Sequence, residues 1–264
     1  MNVLIFTDLD GSLMEHESYS IESARPALDA LAARDIPVIL NTSKTRAEII
    51  RLQEEQDWFM PFVCENGAAL YTNENFGELA AEFGAPIHEW LGSVHALREE
   101  QNFNFSGFSD WSASDVMART GLNQQQAELA LTREYSEPIE WRDTSSAMRN
   151  FSEELAGIGL RLLEGGRFFS IQGEYDKSNA MHWMRETSEG GDVPITIALG
   201  DSPNDAGMLE SADIAVIIKS GKSDQIELQS PQRVIQSSRP GPAGWHDAIM
   251  EILELLDAEQ LFQS

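Results

Sequence analysis

Short apolar runs that each end in a polar cluster set the pattern of this chain. Val3-Leu4-Ile5-Phe6 leads into Asp8-Leu9-Asp10-Gly11-Ser12, and Ile36-Pro37-Val38-Ile39-Leu40 into Asn41-Thr42-Ser43. Late in the sequence, Ile195-Thr196-Ile197-Ala198-Leu199 leads into Gly200-Asp201-Ser202-Pro203-Asn204-Asp205. Runs this short and this apolar read as strands buried on both sides, the habit of a parallel sheet covered by helices. Between them the periodicity predicts helices at about 21–34 (Ala24, Leu28, Leu31), 45–56 (Ile49, Ile50, Leu52), 204–210 and 243–259. Further strands are expected at 61–65, 214–217 and 233–235, with Glu65-Asn66-Gly67-Ala68 as a tight turn suited to a hairpin. The fold class is therefore α/β, a Rossmann-like parallel sheet.

The middle of the chain has a different texture. From about 84 to 172 the compact strand–helix rhythm stops and Trp90, Trp111 and Trp141 appear among many polar residues. Helices are expected at 87–100 and at 123–131, the latter started by Asn123, and 167–173 alternates like a strand with one wet face. About thirty residues separate Asp10 from Thr42, enough for one helix and one strand, whereas about 135 separate Thr42 from Lys177. The expected organisation is a core of 1–83 and 173–264 and an inserted α/β domain of 84–172 that could close over the strand ends.

In a parallel sheet, reacting groups collect where the strands end at their carboxyl side. Asp8 and Asp10, two residues apart on one turn, suit phosphoryl transfer: one carboxylate attacks phosphorus and the other manages the leaving group's proton. Two carboxylates facing a phosphate need a hard cation, and Mg²⁺ is the natural one, with Asp8, the backbone carbonyl of Asp10 and Asp201 as ligands and Asn204 and Asp205 completing or orienting them. Thr42 can donate its hydroxyl to a phosphate oxygen beside a backbone N–H of Ser43 or Lys44, and Lys177 can neutralise the phosphoryl charge. Each cluster also has a plain reading: Asp and Gly are ordinary turn residues, Thr42 can cap the helix before residue 45, Gly200–Asp205 can be an acidic turn before a capped helix, and a lone Lys is usually solvated.

Composition narrows the partners. With 18 Lys and Arg against 44 Asp and Glu, the net charge of −26 repels nucleic acid and anionic membranes. A phosphate ester would then need a local positive field inside the site. The plain reading of the acidity is solubility, with an interior rich in salt or compatible solutes as the second reading. The single cysteine, Cys64, excludes an internal disulfide and suits a reducing compartment, and Met1-Asn2-Val3 carries no leader, so a cytoplasmic protein is expected. The five histidines lack metal-ligand spacing, and no G-x-G-x-x-G follows a strand.

Asp8-x-Asp10-Gly11-Ser12, Thr42, Lys177 and Gly200-Asp201-x-x-Asn204-Asp205, in this order, resemble the haloacid dehalogenase superfamily of phosphatases, and the insertion between the second and third motifs is similar to its Cof-type branch. In that superfamily the second Asp marks phosphatases and phosphomutases, so Asp10 argues against a dehalogenase or a phosphonate hydrolase. Ser106–Asp110, Thr120-Gly121-Leu122, Arg133–Pro138, Gly165–Phe168, Gly241-Pro242-x-Gly244-Trp245 and Thr42-Ser43-Lys44-Thr45-Arg46 resemble the mannosyl-3-phosphoglycerate phosphatases. Asp176-Lys177-Ser178 departs from that family's Asp-Lys-Gly. The resemblance implies a Mg²⁺-dependent phosphomonoesterase acting through an aspartyl-phosphate on mannosyl- or glucosyl-3-phosphoglycerate, in the making of a compatible solute. Such a substrate carries a sugar, a carboxylate and a phosphate, which implicates Arg133 and Arg167 as cations, Ser170 and Gln172 for sugar hydroxyls, and Glu65 and Asn66 for further contacts. Each Arg has an ion-pair reading as well, with Glu134 and Glu137 close in sequence. A broader sugar-phosphate phosphatase, a hexose phosphomutase and a catalytically silent sugar-phosphate binder are the competing readings, and monomer and homodimer both stay open.

Overall fold

The structure is a computed structural model that describes residues 2–16, 18–72, 77–165, 167–188, 193–229 and 233–258; Met1, Gly166 and position 259 of the sequence reading lie outside them. In chain order the elements are β1 (Val3–Thr7), α1 (Arg25–Ala32), β2 (Val38–Asn41), α2 (Arg46–Gln56), β3 (Phe62–Cys64), β4 (Ala69–Tyr71) and β5 (Leu79–Glu82). Then come α3 (Ile87–Gln101), β6 (Phe105–Gly107), α4 (Ala113–Thr120), α5 (Gln124–Ala130), β7 (Ser136–Trp141), α6 (Ser145–Gly157), β8 (Leu160–Glu164) and β9 (Phe169–Gly173). The chain closes with α7 (Asn179–Glu186), β10 (Ile195–Gly200), α8 (Ala206–Ser211), β11 (Ile214–Lys219), β12 (Arg233–Pro240) and α9 (Gly241–Asp257). No helix among the described residues is long and apolar enough to cross a membrane.

Two compact units result. The first comprises Met1–Thr42, Met60–Val63 and Lys177–Ser264. Its strands run parallel in the order β12-β11-β10-β1-β2-β3, as the unbroken apolar runs require. β1 sits centrally, with Val3 opposite Ile195 on one side and Ile5 opposite Val38 on the other. Helix α9 packs on α1, β11 and β12, and its Trp245, fully buried, donates Nε1–H to Thr7 Oγ1 at 2.9 Å. Thr7 in turn donates to the carbonyl of Asp8 at 2.8 Å. Gly244 is tight against the end of β12, where a Cβ would clash with the Arg239 carbonyl.

The second unit comprises Ser43–Phe59 and Cys64–Asp176. It holds an antiparallel four-stranded sheet in the order β6-β7-β9-β8, and a core of Trp90, Val94, Phe105, Ile139, Phe151, Leu155, Leu160 and Ile171. Here the sequence reading is incomplete. Pro138 and Glu137 interrupt the apolar character of β7, and the short β6 ends in Gly107, so neither stands out as a strand. Helices α4 and α6, capped by Ser112 and Thr144, are likewise additions. Asn123 does cap α5 as expected, accepting from the Gln126 N–H. Thr42 is not the cap of α2: that role falls to Thr45, in a reciprocal capping box with Glu48.

Candidate active site

The first unit gathers its carboxylates at the ends of β1 and β10. Asp8 follows β1, fixed by its N–H to the Leu199 carbonyl at 2.9 Å. The chain then turns tightly, with Gly11 N–H bonded to the Met14 carbonyl at 2.7 Å and Met14 N–H to the Leu9 carbonyl at 2.9 Å. Gly11 has φ +87°, and a Cβ there would lie 2.7 Å from Asp201 Oδ2, so only glycine lets this turn and the Asp201 carboxylate share the space. Asp10 sits half-buried on the same turn. Thr42 follows β2, fully buried, with its N–H on the Val63 carbonyl at 3.1 Å.

Lys177 is 1% exposed, just ahead of α7, and the Asn41 side chain at the end of β2 donates to its carbonyl at 2.7 Å. Its ammonium reaches Asp8 Oδ1 at 2.6 Å and Asp205 Oδ1 at 2.7 Å. The other oxygen of Asp205 accepts the backbone N–H groups of Asp201 and Ser202 at 3.0 and 3.1 Å, which closes the turn after β10. Asn204 accepts from the Ser202 hydroxyl. Burial alone would lower Lys177, yet Coulomb attraction from Asp205 and Asp8 more than offsets it, and the group remains a firm ammonium. Burial pushes the Asp8 carboxyl well up, opposed by Lys177 and reinforced by repulsion from Asp205 and Asp201.

Three carboxylates, Asp8, Asp201 and Asp205, each offer an oxygen within 4.8 Å of the others, all buried. One ammonium against three such groups leaves negative charge in excess at a buried spot, and the donors are all hard oxygens. A divalent cation fits this set on both counts. His16, set aside as one of five scattered histidines, has Nε2 at 3.8 Å from Asp201 Oδ2, and the nearby Asp201 carboxylate raises its pKa. Nothing in its sequence spacing signals this, since the turn at Gly11 creates the approach.

The residues implicated in substrate contact all fall in the second unit. Glu65, with φ +46°, is fully buried and committed: its oxygens accept Glu134 N–H at 2.9 Å, Tyr135 N–H at 3.2 Å and Ser136 Oγ–H at 2.5 Å. Burial raises its pKa against the pull of Arg133 and these bonds. Asn66, φ +62°, is buried, and its Oδ1 has no hydrogen-bond partner among the described residues. Arg133 donates to the Ala130 and Ser43 carbonyls at 3.2 and 2.8 Å, stands 4.0 Å from Glu65 and lies over the Phe108 ring at 5.5 Å. The carbonyl of Lys44 accepts from Glu65 N–H at 2.9 Å. Arg167, exposed, donates to the Thr120 carbonyl. Ser170 is half-buried, but Gln172 corrects the wet-face expectation: it is fully buried, its amide N–H₂ held by the Tyr175 carbonyl at 3.0 Å and its Oε1 without a partner among the described residues.

Comparison with known proteins agrees with this layout. The family described as haloacid dehalogenase-like hydrolase matches residues 5–124. A haloacid dehalogenase-like hydrolase from B. subtilis superposes with a TM-score of 0.66 at 16% identity, covering 96% of this chain and 99% of that one. A phosphatase of the haloalkanoate superfamily from Bacteroides thetaiotaomicron does so with a TM-score of 0.66 at 16% identity, covering 95% of each chain. A protein of Methanococcoides burtonii named glucosyl-3-phosphoglycerate/mannosyl-3-phosphoglycerate phosphatase is 35% identical over 268 residues, 96% of this chain and 98% of the relative. The chain belongs to the haloacid dehalogenase-like hydrolases and, among them, to the phosphatase family of that relative.

Proposed function

We propose that this chain hydrolyses a glycosyl-3-phosphoglycerate, mannosyl or glucosyl, to the glycosylglycerate and inorganic phosphate, with Mg²⁺ as its cation. The observation that carries the chemistry is the Lys177 ammonium held between Asp8 and Asp205 beside Asp201. The 35% identical Methanococcoides phosphatase supports the substrate class.

Asp8 is the nucleophile: its free oxygen forms a bond to phosphorus as the ester P–O bond breaks. Asp10 gives its proton to the departing alkoxide. Asp10 then takes a proton from water, whose oxygen attacks the phosphorus of the aspartyl-phosphate, releasing phosphate and restoring Asp8. Lys177 and Thr42 hold the equatorial oxygens, with a backbone N–H of Ser43 or Lys44. When bound, Mg²⁺ supplies charge neutralisation and Lewis-acid polarisation, held by Asp8, Asp201, the Asp10 carbonyl and Asp205, with Asn204 orienting that set.

Residues 84–172 serve as the substrate-specificity domain and 1–83 with 173–264 as the phosphatase core. Arg133 and Arg167 meet the glycerate carboxylate, a guanidinium fork matching it bidentately. Ser170, Gln172, Glu65 and Asn66 complete the recognition. The lone, buried Cys64 favours a cytoplasmic setting.

A colorimetric phosphate assay over glycosyl-3-phosphoglycerates, hexose phosphates and 3-phosphoglycerate, with and without EDTA, tests this reading. The expected result is phosphate release greatest from the glycosyl-phosphoglycerates and abolished by chelation. Release from hexose phosphates alone would overturn the substrate, and transfer to a second sugar without free phosphate would overturn hydrolysis.

A further inference from the structure

Glu137, on β7, is a buried acid that the proposed reaction leaves unused. It is 2% exposed, and its Oε1 accepts both the N–H of Ser109 at 2.9 Å and its hydroxyl at 2.6 Å. The Ser109 hydroxyl has one proton and gives it to Glu137, so the contact from His95 Nε2 at 3.1 Å is a donation toward Ser109. Gly107 leaves the carboxylate its room: a Cβ there would lie 2.2 Å from Oε1. Its neighbour Asp110 is neutralised by two bonds from Arg98, at 2.6 and 3.1 Å. Glu137 has no such partner, for no cationic nitrogen among the described residues lies within ion-pair distance of it, and Oε2 accepts no hydrogen bond from them.

Burying a carboxylate without a cation in ion-pair contact is costly, and a fold seeking stability alone would place a glutamine or an apolar residue there. The cost shows as a pKa pushed up to about 7, by burial first and with help from Asp110, against the Ser109 bonds and the attraction of Arg133, which lies beyond ion-pair distance. Such a group, fixed through one oxygen and with no hydrogen bond to the other from the described residues, has the capacity to accept more. Its charge rejects the phosphate and carboxylate of the substrate and suits a neutral polyol. Phe108 lies under the Arg133 guanidinium at 5.5 Å, an apolar and cationic flank of the kind the proposed glycerate contact would use.

We propose that Glu137, oriented by Ser109 and given space by Gly107, is a specificity residue of the second unit that accepts hydrogen bonds from hydroxyls of the glycosyl group. The inference rests on the glycosyl-ester reading above and names the residue that reads the sugar. Buried hydrogen-bond acceptors discriminate strongly because they are left unpaired by a ligand lacking the hydroxyl.

The test is Glu137→Gln, which keeps shape and removes charge, with Ser109→Ala as a second variant. Steady-state kinetics on glycosyl-3-phosphoglycerates and hexose phosphates are compared with p-nitrophenyl phosphate, which has no sugar. In Glu137→Gln the loss of kcat/KM is expected to be at least about ten-fold greater for sugar esters, carried mainly by KM, and in Ser109→Ala about three-fold greater. Its melting temperature at pH 8 is expected at or above that of the parent. Equal losses on all substrates, no loss on any, or a melting temperature lowered by more than about 5 °C would make Glu137 structural and overturn the proposal. If the parent cleaves hexose phosphates but no glycosyl-phosphoglycerate, the proposed substrate fails while the Glu137 comparison stands on the hexose esters. If it cleaves no sugar ester, both fail.

Discussion

The Lys177 ammonium sits 2.6 Å from Asp8 Oδ1, though 169 residues separate the two in sequence. This pairing gives Asp8 its setting: one oxygen is held by the ammonium, and the proposed reaction uses the other to attack phosphorus. Asp8→Asn keeps the shape and one hydrogen-bonding oxygen, so turnover is expected to fall by about four orders of magnitude or more while the circular dichroism spectrum is unchanged. Appreciable residual turnover in a clean preparation would remove Asp8 as the nucleophile. Lys177→Met strands two buried carboxylates, and chemical denaturation should report a loss of about 3–5 kcal/mol together with activity.

A cation at Asp8, Asp201 and Asp205 should be visible without any substrate. Mg²⁺ at about a hundred times its dissociation constant is expected to add about 2.7 kcal/mol of stability, read as a higher melting temperature. Asp201→Asn should shrink that gain and EDTA should erase it, alongside the loss of phosphatase activity.

Trp245 and Thr7 form a buried bond beneath Asp8, whose backbone carbonyl accepts the Thr7 hydroxyl. Thr7→Val conserves volume but leaves the indole N–H unpaired, so urea unfolding should show a loss of about 1–3 kcal/mol. Full stability in that variant would show that the indole finds another acceptor.

Glu137 makes stability depend on pH in a stated direction. Its folded pKa, about 7, lies above the ordinary 4.5, so its contribution is fully present below 4.5 and is lost as pH rises through 7. The accumulated loss is on the order of 3 kcal/mol. Glu137→Gln should therefore gain on the parent by that order between pH 5 and pH 8, measured as the difference of two urea titrations. A gap that stays constant across this range would show that the carboxyl does not titrate there.

The strand-end positions of Asp8, Asp10, Thr42, Asp201 and Asp205 were legible because each cluster follows an apolar run, whereas Lys177 was read from order and spacing alone. That β10, β1 and β2 run parallel follows from the same runs, whereas their order does not. What stayed hidden depends on distant packing. That Asp205 shares Lys177 with Asp8, that His16 approaches Asp201, and that Glu65 spends both oxygens on Glu134, Tyr135 and Ser136 are consequences of long-range closure. Glu137 reads in sequence as a surface acid beside Arg133, and only the sheet position of β7 shows it buried with no ion-pair partner among the described residues. Gln172 misled for the opposite reason, since alternation along β9 cannot say which side is covered.

β1 lies in the middle of its sheet, yet one of its two partners, β10, begins about 190 residues later. At ribosomal speeds of roughly 5–20 residues per second, the first strand waits about 10–40 seconds for that neighbour to be synthesised. The nascent chain thus carries an apolar strand with one open edge for most of its birth, and the second unit can fold to completion meanwhile. Fast refolding from denaturant and slow, chaperone-sensitive maturation in the cell are compatible in such a chain, because the delay lies in the order of synthesis rather than in the barrier to folding.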